Sequence, residues 1–278
     1  MARNKAIGVF DSGFGGLSIL KEIVKKLPHY RYVYLGDNAR TPYGTRSSAI
    51  VYQFTKQAVR FLFSKNCDIV ILACNSASAE ALRNIQQDYL PKKYPSKRVL
   101  GVIIPALEEA TAVTKNKRIG VLATEGTVAS DTFARELRTR DPKIRIFQQA
   151  APLLVPLVEA GEHRTRAARL ILRRYLVPLL GNSIDTLILG CTHYGHLEKE
   201  IQHIVGKKVR VISEGPVVAW KLNEYLSRHP EIESRLSRDR QLTFYTTDMS
   251  ERFKKLGALF FGRKISPRKT ELEYLYGR

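Results

Sequence analysis

Eight short runs of apolar and β-branched residues recur along this chain, with helix-like stretches between them. This alternation is typical of a parallel β-sheet whose strands are joined by crossover helices. The sequence therefore predicts an α/β fold. The predicted strands are IGVF (7–10), YVYL (32–35), DIVIL (68–72), LGVII (100–104), RIGVL (118–122), IRIF (144–147), TLIL (186–189) and VRVI (209–212).

The four runs of the first half match the four runs of the second half at nearly constant separation. The offsets between matched positions are 112, 112, 117 and 110 residues, and DIVILAC in one half resembles DTLILGC in the other. Chance pairing of similar strands is the alternative, but a duplicated unit of this length suits a domain. We therefore predict two pseudo-symmetric α/β domains with mostly parallel sheets that face a central cleft.

Two of the three cysteines occupy corresponding places, just beyond the third strand of each half. Ligands of such sheets bind beyond the carboxyl ends of the strands, so Cys74 and Cys191 are expected to approach a small ligand from opposite sides. Cys67 precedes a strand and is interpreted as structural. The odd number of cysteines and the lack of CxxC spacing argue against a disulfide framework, so free thiols are predicted.

Two opposed thiols suit the removal of a proton from a carbon atom and its return from the other side, which inverts a stereocentre. Cys74 precedes a run of helix formers, and the helix start is expected to favour its thiolate. His193 lies close enough in sequence to exchange a proton with Cys191.

The sequence leaves two alternative roles for the cysteines. Cys191 or Cys74 paired with His193 would supply the nucleophile and base of an acyl-transfer enzyme, although this leaves one cysteine unexplained. A metal site of Cys191, His193 and His196 is disfavoured, because the CxH spacing rarely satisfies tetrahedral zinc. No metal is predicted.

The glycine-rich stretch DSGFGG (11–16) joins a predicted strand to a predicted helix, where phosphates often bind. It lacks both the GK[ST] ending of a P-loop and the GxGxxG spacing of a dinucleotide site, and Asp11 would repel a phosphate. An aspartate beside backbone donors from Ser12 instead fits the ammonium group of an amino acid. Further donors for carboxylates are expected in TPYG (41–44), CNS (74–76), TEGT (124–127) and CTH (191–193).

The chain carries a formal net charge of +20, concentrated in 163–175 and in the tail from Glu251 to Arg278. This charge suits a nucleic-acid partner or the attraction of a small anionic substrate. Basic residues within 163–175 alternate with apolar ones at helical spacing, so we favour the solvated face of an amphipathic helix. No apolar segment approaches the length of a membrane span or a signal sequence, which predicts a cytoplasmic protein.

Five ordered motifs, DSGFGG, GDNARTPYG, ACNSASA, VPLVE and LGCTHY, resemble bacterial glutamate racemases from about Ile7 to Glu214. The resemblance implies cofactor-independent interconversion of L- and D-glutamate, which supplies D-glutamate for peptidoglycan, without pyridoxal phosphate. Racemases of aspartate share the paired thiols and are the nearest alternative. A basic nucleic-acid-binding protein with a vestigial cleft is the second alternative.

The resemblance also assigns roles to residues of this chain. Cys74 and Cys191 would exchange protons with the substrate, Asp11 and His193 would assist them, and Glu159 would help on the His193 side. The remaining implied contacts to the amino acid are Ser12, Tyr43, Gly44, Asn75, Ser76, Thr124, Thr127 and Thr192, together with Asp11 and His193.

The family fold implies a discontinuous first domain of residues 1–98 and 213–278, and a second domain of residues 99–212. A homodimer is predicted, since family members are often dimers. Ser76 replaces the usual threonine and Gly195 the usual proline of the family motifs, and neither change removes a chemical group needed for the reaction.

Overall fold

The computed structural model describes residues 4–273 and contains a larger and a smaller parallel sheet. The larger, called the first sheet, has the strand order β10-β9-β2-β1-β3-β4. All of its neighbouring strands are parallel. Its strands are β1 (Ala6–Asp11), β2 (Tyr32–Gly36), β3 (Cys67–Leu72), β4 (Arg98–Gly101), β9 (Leu242–Thr246) and β10 (Pro267–Lys269).

The second sheet has the order β6-β5-β7-β8 and is also parallel throughout. Its strands are β5 (Arg118–Ala123), β6 (Arg145–Ala150), β7 (Thr186–Gly190) and β8 (Arg210–Ile212). In chain order this arrangement repeats that of β2-β1-β3-β4 in the first sheet. The duplicated plan predicted from the strand offsets is therefore confirmed at the level of topology.

Two parts of the strand prediction need correction. The run LGVII (100–104) is not one strand, because β4 ends at Gly101 and a helix begins at Ile103. Val102 and Ile103 are buried although they follow the strand, so the apolar run continues past the point where the strand ends. The prediction also missed β9 and β10, which lie outside the repeated unit.

Helices connect the strands on both sheets. They are α1 (Gly16–Lys26), α2 (Ser48–Ser64), α3 (Asn75–Glu80), α4 (Leu82–Asn84), α5 (Leu90–Lys93), α6 (Ile103–Val113), α7 (Glu125–Ala129), α8 (Thr132–Arg138), α9 (Leu154–Glu159), α10 (Arg166–Leu180), α11 (Glu198–Val205), α12 (Glu214–Arg228), α13 (Pro230–Glu233) and α14 (Glu251–Phe261). A π-helical segment, Ile85–Tyr89, separates α4 from α5, and 3₁₀ turns occupy Asn38–Arg40 and Tyr194–Leu197.

Helix α10 accounts for the basic stretch 163–175. Its buried residues recur at helical spacing, and they are Ala168, Leu172, Leu176 and Leu179. Its arginines are exposed on the other side. The amphipathic interpretation of this stretch is confirmed.

After β8 the chain returns to the first sheet. Helix α12 packs along α1, and β9 then pairs with β2. One continuous apolar core contains residues of both halves, such as Ile7 and Leu187. The domain bounds 1–98 with 213–278, and 99–212, stay a prediction. Within residues 4–273, no helix is both long and apolar enough to cross a membrane.

Candidate functional site

The carboxyl ends of the two sheets meet through direct contacts. The backbone N–H of Gly126 donates to the carbonyl of Gly44 at 2.8 Å. The hydroxyls of Ser76 and Thr124 lie 3.2 Å apart. On the other side of the site, Ser18 Oγ donates to the Thr192 carbonyl at 3.2 Å. The loops that follow β1, β3, β5 and β7 therefore enclose one space between the sheets.

Cys74 is the N-cap of α3, as its position before helix formers predicted. Its Sγ accepts the backbone N–H of Ala77 at 3.5 Å and lies 3.4 Å from Ser12 Oγ. Burial raises the pKa of the Cys74 thiol to about 11, and the charge of Asp11 adds to this. Contacts with Ser12 and Ala77 lower it, as expected for a helix start, but α3 has only six residues and desolvation outweighs them.

Cys191 follows β7 directly and is also buried, with 8% of its surface exposed. Its Sγ lies 4.0 Å from Nδ1 of His193. Burial raises the pKa of Cys191 well above its usual value, the His193 backbone N–H opposes this, and negative charge on Cys74 or Asp11 raises it further. The two buried thiols are thus close enough for negative charge on one to raise the pKa of the other.

His193 connects Cys191 to a chain of charged groups. Its Nε2 lies 3.0 Å from Glu159 Oε1, and Arg252 of α14 donates to the other oxygen of Glu159 at 2.7 Å. The ring of Phe260, also on α14, packs edge-on against His193 with 5.1 Å between centroids. Glu159 therefore orients the imidazole, and α14 holds Glu159.

Asp11 ends β1 with 1% of its surface exposed. Its Oδ2 accepts the N–H of Gly13 at 2.9 Å, whereas Oδ1 has no hydrogen-bond partner among residues 4–273. Burial raises the pKa of Asp11, and nearby His193 opposes that change. An unpartnered buried carboxylate oxygen is costly unless a ligand or proton satisfies it. This matches the expectation of a cationic group beside Asp11.

The other residues that are expected to contact the ligand lie on the same loops. Thr124 caps α7 and donates to Thr127 Oγ1 at 3.0 Å. The Asn75 Oδ1 atom has no partner within the described part of the chain. Tyr43 donates its hydroxyl to Asp37 at 2.5 Å and its carbonyl accepts the Arg46 N–H at 3.0 Å, which leaves its backbone N–H for a ligand. Gly44 lies against Thr124, since an added Cβ would come within 3.0 Å of the Thr124 Cβ.

Sequence reasoning missed three residues of this site. A Cβ on Gly15 would lie 2.0 Å from Thr192 Oγ1, so the loop after β1 approaches the loop after β7 only because residue 15 is glycine. Arg252 and Glu214 reach the site from the returning C-terminal part. The glycines of DSGFGG carried a usable signal for Gly15, whereas nothing local marks the other two.

A cavity of about 240 Å³ borders Cys191, Thr192 and Glu214. A second, of about 300 Å³, lies away from both thiols, between α4, β4, α8 and α12. Among residues 4–273, no three His, Cys, Asp or Glu side chains group closely enough to hold a metal ion. Cys67 is buried inside β3 and contributes to the core.

Comparison with known proteins gives a consistent result. Residues 7–222 match the family model described as Asp/Glu/Hydantoin racemase. A glutamate racemase from Geobacter metallireducens is 38% identical over 261 residues, which cover 94% of each chain.

Solved structures agree with the sequence matches. A glutamate racemase isoform from Bacillus anthracis superposes with a TM-score of 0.89 and 34% identity, covering 98% of this chain and 99% of that one. The glutamate racemase from Francisella tularensis in complex with D-glutamate gives a TM-score of 0.88 at 29% identity, with the same coverage.

Proposed function

We propose that this chain, which belongs to the Asp/Glu/Hydantoin racemase family, interconverts L- and D-glutamate with two thiols and no cofactor. The observation that carries the proposal is the placement of Cys74 and Cys191. Both are buried, both lie at the carboxyl ends of corresponding strands, and a charge on Cys74 changes the pKa of Cys191.

The proposed reaction is a proton exchange at Cα. One cysteine, as thiolate, takes the proton: the Cα–H bond breaks, an S–H bond forms, and the electron pair stays on carbon. The other cysteine, as thiol, then gives its proton to the opposite face of the same carbon. Each turnover leaves the two sulfurs with exchanged protonation states, so the reverse reaction uses the same groups in reversed roles.

The buried thiols need help to ionise, since burial raises the pKa of both. The ammonium group of a bound amino acid supplies positive charge, which favours a neighbouring thiolate. Asp11 lies within electrostatic range of Cys74, and His193 lies 4.0 Å from Cys191 Sγ. We assign Asp11 to proton transfer at Cys74 and His193, oriented by Glu159, to proton transfer at Cys191.

The carboxylates of glutamate require donors, because negative charge grows as the carbanion forms. The N-terminal turns of α3 and α7 supply backbone N–H groups beside Cys74 and Thr124. We propose that hydroxyls and amides of the surrounding loops bind the carboxylates, and these residues are Ser12, Tyr43, Gly44, Asn75, Ser76, Thr124, Thr127 and Thr192.

Glutamate is favoured over aspartate by the near full-length relatives. An aspartate racemase from Picrophilus torridus shares 18% identity with a TM-score of 0.53, which supports a common fold alone. A nucleic-acid-binding role is not favoured, because the racemase matches cover nearly the whole chain. A homodimer, a cytoplasmic location and the supply of D-glutamate for peptidoglycan belong to the proposal.

Deuterium incorporation tests this function. Purified protein incubated with either enantiomer in deuterated water, without added cofactor, is expected to place deuterium at Cα and to drive both samples to the racemate. Cys74→Ser and Cys191→Ser are each expected to lower turnover at least ~100-fold, since proton transfer by a positioned group contributes that much or more. Cys67→Ser is the matched control with activity retained. Full turnover in either of the first two variants would overturn the two-thiol scheme.

A further inference from the structure

Glu214 places a carboxyl group inside the site from an unexpected direction. It is the first residue of α12, at the point where the chain leaves the second sheet and returns to the first. Only 3% of its surface is exposed. Its Oε2 accepts a hydrogen bond of 2.7 Å from Nδ2 of Asn75, the residue directly after Cys74.

This contact fixes which way the Asn75 amide points. An asparagine side chain has a donating and an accepting end, and exchanging them reverses what it offers a ligand. Because Nδ2 is held by Glu214, the Asn75 oxygen is left as a free acceptor. That oxygen, like Glu214 Oε1, is buried without a partner among the described residues. Buried acceptors of this kind are usually satisfied, so the Asn75 oxygen is available to a donor group of the ligand.

Among the described residues, Glu214 forms no ion pair, and only burial and Asn75 shift its pKa. Burial raises the pKa of Glu214 to about 8, and its hydrogen bond from Asn75 opposes this only in part. The cavity beside it is bordered by α1, the loop after β7, α11 and α14. The titratable groups on that cavity are Lys21, Glu22, Cys191, His196 and Glu198.

We propose that Glu214 is a positioning residue, which orients the Asn75 amide so that its oxygen accepts from the ammonium group of the bound amino acid. The inference rests on the proposed function, in that Asn75 contacts the substrate. Without Glu214, the amide is free to turn its NH₂ group toward the ammonium, which repels it. Ionised Glu214 also raises the pKa of Cys191, so activity is expected to fall as pH rises past about 8.

Three variants test the role. Glu214→Leu removes the acceptor and is expected to lower kcat/KM for glutamate by ~10- to 100-fold, mainly through KM, as for a lost hydrogen bond that leaves a buried polar group unsatisfied. Glu214→Gln keeps an acceptor for Asn75 and is expected to stay within about threefold of the parent at pH 7. Its alkaline limit should move upward, because glutamine does not ionise. Glu22→Gln, on the same cavity without an Asn75 contact, is the matched control.

A double-mutant cycle keeps the test decisive if the leucine variant folds poorly. In an Asn75→Ala background, Glu214→Gln and Glu214→Leu should have no further effect on KM, because the amide they position is gone. Additive effects, or an unchanged alkaline limit in Glu214→Gln, would overturn the inference. If the parent protein fails to racemise glutamate, or Cys191→Ser stays active, the proposed function fails instead.

Discussion

The two thiols occupy equivalent positions in two sheets of the same strand order, yet their surroundings differ. Cys74 meets Ser12, the N–H of Ala77 and the charge of Asp11, all within the first half of the chain. Cys191 instead faces the imidazole of His193. The shared fold sets where each sulfur lies, whereas the loops determine which groups lie against it.

The network of side-chain contacts on the Cys191 side also extends further. From His193, contacts run through Glu159 to Arg252. Arg252 lies on α14, in the C-terminal segment after β8, which is not part of the duplicated unit. Among the described residues, no such chain leads from Ser12. In the proposed mechanism, the two cysteines therefore have proton routes of unequal strength, and three experiments address that inequality.

The largest effect is expected from Gly15→Ala. The new Cβ would lie 2.0 Å from Thr192 Oγ1 and 2.7 Å from His193 Nδ1, so the Cys191 side must shift. A misplacement of ~1 Å at a reacting site costs ~100-fold, and the overlap here is larger and displaces both Thr192 and His193, so kcat/KM should fall by at least ~1000-fold. Gly181→Ala is the control, because its Cβ would meet only the Val177 and Pro178 carbonyls at 3.5 and 3.7 Å. Equal activity of the two variants in a circular-dichroism racemisation assay would contradict the prediction.

The inequality of the two sides is tested at the side chains that lie against each sulfur, with His193→Asn and Ser12→Ala. Loss of the imidazole removes a proton-transfer group and should lower kcat by ~100- to 1000-fold. Loss of the Ser12 hydroxyl removes one weak contact of 3.4 Å and should cost at most about tenfold. Initial rates from both enantiomers give the measurement. A larger loss in Ser12→Ala would reverse the order of the two sides.

The last prediction changes no residue and concerns the resting state of the thiols. Because burial raises the pKa of Cys74 to about 11, the thiolate is a minor species at neutral pH. Alkylation of Cys74 by iodoacetamide should therefore be slow at pH 7 and rise ~tenfold per pH unit up to pH 10, since only thiolate reacts. Peptide mapping separates the three cysteines. A rate that levels off below pH 9 would show that the helix start outweighs burial.

Local patterns were enough to predict much of this molecule. The strands around Ile69 and Ile188 are short, apolar and bounded by turns, so their place and type follow from sequence, and with them the positions of both cysteines. β4 was misjudged at its end, since apolar residues continue into a buried helix. β10 has three residues, including a proline, and its pairing depends on β9 rather than on its own sequence.

Sequence reasoning predicted less of the site where it depends on contacts between residues that are far apart in the chain. Asn75 and Glu214 are 139 residues apart, and Glu159 and Arg252 are 93 apart, so neither pair leaves a local signal. The preference of Cys74 for thiolate was expected from its helix start, but its pKa depends on desolvation, which only packing reveals. Residues 274–278 of the basic tail lie outside the described residues.

The hydrogen bond from Gly126 N–H to the Gly44 carbonyl closes one edge of the site with main-chain atoms alone. A glutamate that reaches the two buried sulfurs along this edge passes only while the bridge is broken. A main-chain bridge keeps its strength when neighbouring side chains are exchanged. The dwell time of the substrate therefore depends partly on a contact that mutation of the loop side chains does not change. A methyl group on Gly44 or Gly126 would change this contact directly.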